Sequence, residues 1–198
     1  SELKSLMNQY PAQKTAVWYA MALSEFTWFD LDAAVQKEYM SELKNLLDQY
    51  PSQAIADSFS KALYRVILCT EDPKTRKEYM LEQKNLMEHY PGMDNAVDYA
   101  NSLIGSAVNP EDLKEQEYCL SELKLLIQRY PIRHEAAKWV LLSVSDSEYH
   151  PQDQEEINRI SKVMQILNES PSGNPMEMGV LKVLSENIES LLQQFQTN

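Results

Sequence analysis

Ser41-Glu-Leu-Lys-Asn-Leu-Leu-Asp-Gln-Tyr50-Pro51 is one of five versions of a single phrase in this chain. It occurs as Ser1-Glu-Leu-Lys-Ser-Leu-Met-Asn-Gln-Tyr10-Pro11, as Leu81-Glu-Gln-Lys-Asn-Leu-Met-Glu-His-Tyr90-Pro91 and as Ser121-Glu-Leu-Lys-Leu-Leu-Ile-Gln-Arg-Tyr130-Pro131. A degraded copy reads Ser161-Lys-Val-Met-Gln-Ile-Leu-Asn-Glu-Ser170-Pro171. The spacing is 40 residues each time, without insertion or deletion. A fixed period of this size marks a stack of repeated supersecondary units, none of which can bury its apolar face alone.

Written in rows of 40, the sequence shows further columns. Ala16, Ala56, Ala96 and Ala136 align, as do the large residues Tyr19, Phe59, Tyr99 and Trp139 and the small ones Ala20, Ser60, Ala100 and Val140. Each row holds two amphipathic helices. Tyr39, Leu43, Leu46, Leu47 and Tyr50 share one helical face, and Ala56, Phe59, Ser60, Leu63 and Ile67 share another. Five of the nine prolines fall in the column of Pro11, where a helix cannot continue. Asp72-Pro73 and Asn109-Pro110 read as an N-cap followed by proline at the first helical position. The pattern predicts a short helix over 1–10, then helices over 12–28, 32–50, 53–70, 73–90, 93–108, 110–130, 133–146, 152–169 and 174–196.

The totals narrow the function. The chain has 198 residues, 43% of them hydrophobic, and a net charge of -12, so it is apolar enough to fold and too acidic to favour nucleic acid or an anionic membrane surface. No apolar run is long enough to span a membrane, so no membrane insertion is expected, and the two cysteines, read as free thiols, make the cytoplasm the compartment expected. Cys69 and Cys119 lack metal-site or redox-pair spacing and read as buried free thiols.

The rows resemble the tetratricopeptide repeat in a long form. Ala56, Phe59, Ser60 and Leu63 keep the spacing of that family's first helix, and Tyr39, Leu43, Leu46, Leu47 and Pro51 keep that of its second. The family's signature Trp is Ala here and its second-helix Ala is a tyrosine, an exchange of small for large that roughly conserves volume. A HEAT-like solenoid is the second choice. The resemblance implies an all-α fold, a right-handed α-α superhelix of antiparallel helix pairs with about four and a half repeats, forming a single domain over 1–198 with repeats starting near 1, 41, 81, 121 and 161. The first helix is half the length of its counterparts and exposes Leu3, Leu6 and Met7, so the chain is expected to be a piece of a longer protein truncated at its N-terminus.

No catalytic constellation stands out. His89, His134 and His150 lie in unrelated surroundings, and no phosphate loop, metal pair or nucleophile–base grouping is present, so the reading is of a non-enzyme without cofactor or metal. By the resemblance, a partner protein or peptide would lie on the first helices of the pairs, in a concave groove. The positions carried over include Val17, Met21, Lys61, Tyr64, Arg65, Asn101, Ile104, Leu141 and Val144. These differ from row to row while the core columns repeat. An apolar lining with interspersed charge suits an amphipathic helix or an extended peptide; the competing reading is that these residues only tighten the packing. Phe26, Trp28 and Phe29 form an aromatic cluster outside the columns, read as a plug at an array end and a route to self-association, the alternative being an exposed anchor. The function expected is a protein-binding scaffold, the alternative being a regulatory or sensor region that controls an attached domain.

Overall fold

The computed structural model describes residues 2–9, 11–27, 32–145, 154–169 and 175–197. Among these residues every regular element is a helix: α1 Glu2–Gln9, α2 Gln13–Phe26, α3 Ala33–Gln49, α4 Gln53–Cys69, α5 Pro73–His89, α6 Met93–Val108, α7 Leu113–Arg129, α8 Arg133–Ser145, α9 Gln154–Glu169 and α10 Pro175–Thr197. The chain is an all-α array in which helices pack on their neighbours. It divides into two compact units, Ser1–Tyr99 and Ala100–Asn198. No described helix is long and apolar enough to cross a membrane.

In the first unit the helix ends follow local chemistry. Asp32 caps α3 by accepting from the Ala34 N–H at 2.7 Å, and Asp72 caps α5 by accepting from Thr75 N at 3.0 Å. Both α3 and α5 stop at the tyrosine of the repeated phrase. The N–H groups of Tyr50 and Tyr90 donate to Leu46 O and Leu86 O at 2.8 Å, and the proline that follows has no N–H to extend the ladder. Leu43, Leu46 and Leu47 on α3, Phe59 and Leu63 on α4, and Leu86 and Met87 on α5 are all buried. Helix α4 packs on α2, α3 and α5, and α2 packs on α1 and α3. Helices α2 and α4 therefore form one side of the unit and α1, α3 and α5 the other.

The 40-residue period also sets repeated polar rungs in this unit. Lys4 Nζ meets Glu42 Oε2 at 3.0 Å, and Lys44 meets Glu82 one period later. Gln13 Nε2 donates to Tyr50 O at 3.2 Å, and Gln53 Nε2 to Tyr90 O at 3.3 Å. Those two carbonyls sit at helix C-termini, where no intrahelical donor remains, so the glutamine column satisfies groups that the helix geometry orphans.

In the second unit α7 begins at Leu113, later than the sequence predicts. Its N-cap is Asp112, which accepts from Glu115 N at 2.8 Å, while the Glu115 carboxylate accepts from Glu111 N. This reciprocal capping pair outcompetes the Asn109-Pro110 start. The last-turn carbonyls of α6 are satisfied by side chains: Gln116 Nε2 donates to Ala107 O at 3.2 Å and Arg159 Nε to Val108 O at 2.6 Å. Helix α9 packs on α7 and α8, and α10 packs on α8 and α9. The buried residues Leu181, Ser185 and Ile188 give α10 its inward face. Gly179 is exposed where Tyr19, Phe59 and Tyr99 of the same column are buried, so the column ends there.

The cysteines depart from expectation. Both are free, but Cys69 is exposed and only Cys119 is buried. Cys69 is the last residue of α4, beyond the apolar face that ends with the buried Ile67, and its neighbour Leu68 is exposed as well.

Candidate binding surface

The groove positions predicted on the first unit lie on the α2–α4 side, with unequal access. Met21 is 47% exposed and Lys61 is exposed, while Val17 and Tyr64 are half-buried. Arg65 is buried, its side chain only 3% exposed. In the second unit Asn101 and Ile104 are buried and Leu141 is half-buried. The Val144 side chain, Trp28 and Phe29 lie outside the described residues. Phe26 is exposed at the end of α2, its ring 6.3 Å from that of Tyr39.

Three charged groups of this side form a cluster. Lys61 Nζ and Glu25 Oε1 are 2.6 Å apart, and Arg65 Nη2 reaches Glu25 Oε2 at 3.2 Å. The second arm of Arg65 donates to Ser24 O, a last-turn carbonyl of α2. Arg65 thus joins two helices with its planar fork, which a lysine cannot reproduce. The Lys61 hydrogen bond, aided by the Arg65 charge, holds the Glu25 carboxyl below its ordinary range. Loss of hydration lowers the Arg65 guanidinium, which stays charged regardless.

Behind the cluster lies a polar chain that the sequence reading does not anticipate. Gln83 of α5 is fully buried, and its Nε2 donates to Ser60 O at 3.2 Å and lies 3.5 Å from Ser60 Oγ. The Ser60 hydroxyl in turn bonds the Asp98 carboxylate in the second turn of α6. Burial pushes the Asp98 carboxyl up to about 7, against the opposing Ser60 hydrogen bond, with the nearby Asp94 charge adding to the rise and Lys61 and Arg65 reducing it. Asp57 is raised for the same first reason. A signal for Gln83 was available, since its column otherwise reads Leu3, Leu43, Leu123 and Val163. Trp18, 61% exposed on α2, lies outside the repeated core columns, so the periodicity does not single it out.

Among the described residues no three His, Cys, Asp or Glu side chains are grouped to hold a metal ion. The chain matches no protein-family model, no curated protein and no solved structure. The α2–α4 side therefore has to be read from its own chemistry. It offers an exposed thioether and an indole for apolar contact beside the Lys61–Glu25–Arg65 ion cluster, with Arg65 tying α2 to α4.

Proposed function

We propose that this chain is a protein- or peptide-binding scaffold of tetratricopeptide-like architecture, and that the partner lies on the α2–α4 side. The observation that carries the reading is the contrast between columns. Ala56, Phe59, Ser60 and Leu63 repeat the character of Ala16, Tyr19, Ala20 and Leu23 and are buried with them. The interleaved positions do not repeat: Met21 becomes Lys61, and both are exposed. Packing accounts for the first set and leaves the second free to be shaped by a partner. An apolar anchor beside the Lys61–Glu25 ion pair suits a segment that carries a hydrophobic side chain with polar or charged flanks. The free thiols, one of them exposed, fit a reducing compartment such as the cytoplasm.

The test is a paired pull-down read by mass spectrometry. One bait is the chain itself; the other carries Met21→Asp and Lys61→Glu, both at exposed positions, with retained helicity checked by circular dichroism. A protein recovered on the first bait and lost on the second supports the reading. Equal recovery of every partner on both baits refutes it.

A further inference from the structure

A second surface lies on the opposite side of the first unit. Helices α3 and α5 each lie against α4, and between them runs a groove of about 740 Å³. Its floor is apolar, formed in part by the buried core residues Leu47 and Leu86. At its edge stands Leu81, 57% exposed. Lone exposed leucines are ordinary on protein surfaces. This one is not explained by packing, because its column reads Ser1, Ser41, Ser121 and Ser161 in the other rows, and α3, α7 and α9 form with a serine there.

The charge around the groove is one-sided. Asp48, Glu78 and Glu82 line it, against a single lysine, Lys44. Lys44 is already engaged by Glu82 across the groove, which raises its pKa and keeps it protonated. Among the described residues, Glu78 meets the exposed Lys74 at a long 3.8 Å. Two carboxylates thus face solvent beside an apolar floor, in a chain whose net charge is -12. A second copy of so acidic a chain would bring like charge to like.

We propose that the α3–α5 groove is a docking site for a basic amphipathic helix of a partner protein. Its apolar stripe covers Leu81 and the groove floor, and its Lys or Arg flank meets Asp48 and Glu78. This is independent of the α2–α4 reading, which concerns the other side of the unit.

The test uses fluorescence anisotropy with a labelled synthetic peptide of about 18 residues, five helical turns, with leucines on one face and lysines on the other. A peptide of the same composition in scrambled order and one with glutamate for lysine are the comparisons. The amphipathic basic peptide is expected to bind best. Leu81→Ser should weaken it about tenfold or more, the worth of one buried leucine. Asp48→Lys with Glu78→Lys should weaken it and flatten its salt dependence. Leu125→Ser, which removes an equally exposed leucine on α7, should leave binding unchanged. The proposal is overturned if the scrambled or the glutamate peptide binds as tightly, or if Leu81→Ser, still helical by circular dichroism, binds undiminished. It is overturned too if Leu125→Ser weakens binding as much as Leu81→Ser does.

Discussion

Replacing Asp98 by asparagine should remove a pH-dependent cost built into the first unit. The native carboxyl titrates at about 7 because burial penalises its charge, whereas an ordinary aspartate has a value of 3.8. The folded chain therefore keeps a proton that the unfolded chain has already released. Stability from this group is fully present below the unfolded value and is lost as pH rises through the folded one. A gap of about three units corresponds to about 4 kcal/mol at most, and relaxation of the site would reduce it. Asparagine keeps the shape, can still accept from the Ser60 hydroxyl, and does not ionise. Urea unfolding followed by circular dichroism at pH 4, 5, 6, 7 and 8 would measure both proteins. The difference in unfolding free energy should swing toward the asparagine variant by up to about 4 kcal/mol between pH 4 and pH 8, most of it between pH 5 and 7.5. The other carboxylates titrate in both proteins and drop out of the difference, provided the denaturant slopes agree. A difference that stays flat across this range would refute the argument that Asp98 is desolvated in the fold.

Three further outcomes follow from the same geometry. Arg65→Ala should cost about 2–4 kcal/mol, since it removes a packed side chain and the bond to Ser24 O, while Glu25→Gln should cost under about 1 kcal/mol because Glu25 is 57% exposed; thermal unfolding of the two variants would separate them. Gln83→Leu restores the residue type of its column and removes a buried Oε1 that has no hydrogen-bond partner, so it should be neutral or stabilise by about 1 kcal/mol in urea unfolding. Cys69 should react with a thiol reagent in the native protein and Cys119 only in denaturant, which a count of titrated thiols in the two conditions would show.

The helices were legible because their signals are local or periodic. The Tyr-Pro column sets the ends of α3, α5 and α7, and every second-helix column residue from Leu43 to Ile127 faces inward as its spacing requires. The start of α7 is not legible in the sequence because two capping signals lie within a few residues of each other, and the choice of Asp112 depends on Glu115 reaching back to Glu111. The polar chain of Gln83, Ser60 and Asp98 could not be assembled from sequence alone. Its members lie on three helices and meet only through the stacking of α4 with its neighbours.

The third row carries the more informative departure. Where three other rows read Ser-Glu-Leu, it reads Leu81-Glu82-Gln83, with the apolar and polar residues exchanged. If α5 were free to rotate, it would turn Leu81 inward and Gln83 outward. It does not, because Met80, Leu86 and Met87 hold its face against α4 and the Lys44–Glu82 rung fixes its register. The exchange therefore leaves a leucine in solvent at the groove edge and an amide in the core, bonded to Ser60. Each placement is unfavourable by itself, and neither is required to build the helix, since Ser41 and Leu43 occupy the same two positions on α3. The Ser60 hydrogen bond accounts for Gln83, whereas packing leaves the exposed Leu81 unexplained. That points to the outer side of α5 as a surface shaped by contact, and it gives the Leu81→Ser and Gln83→Leu variants a common expectation. Both should fold at least as well as the original chain, and Leu81→Ser should lose the peptide.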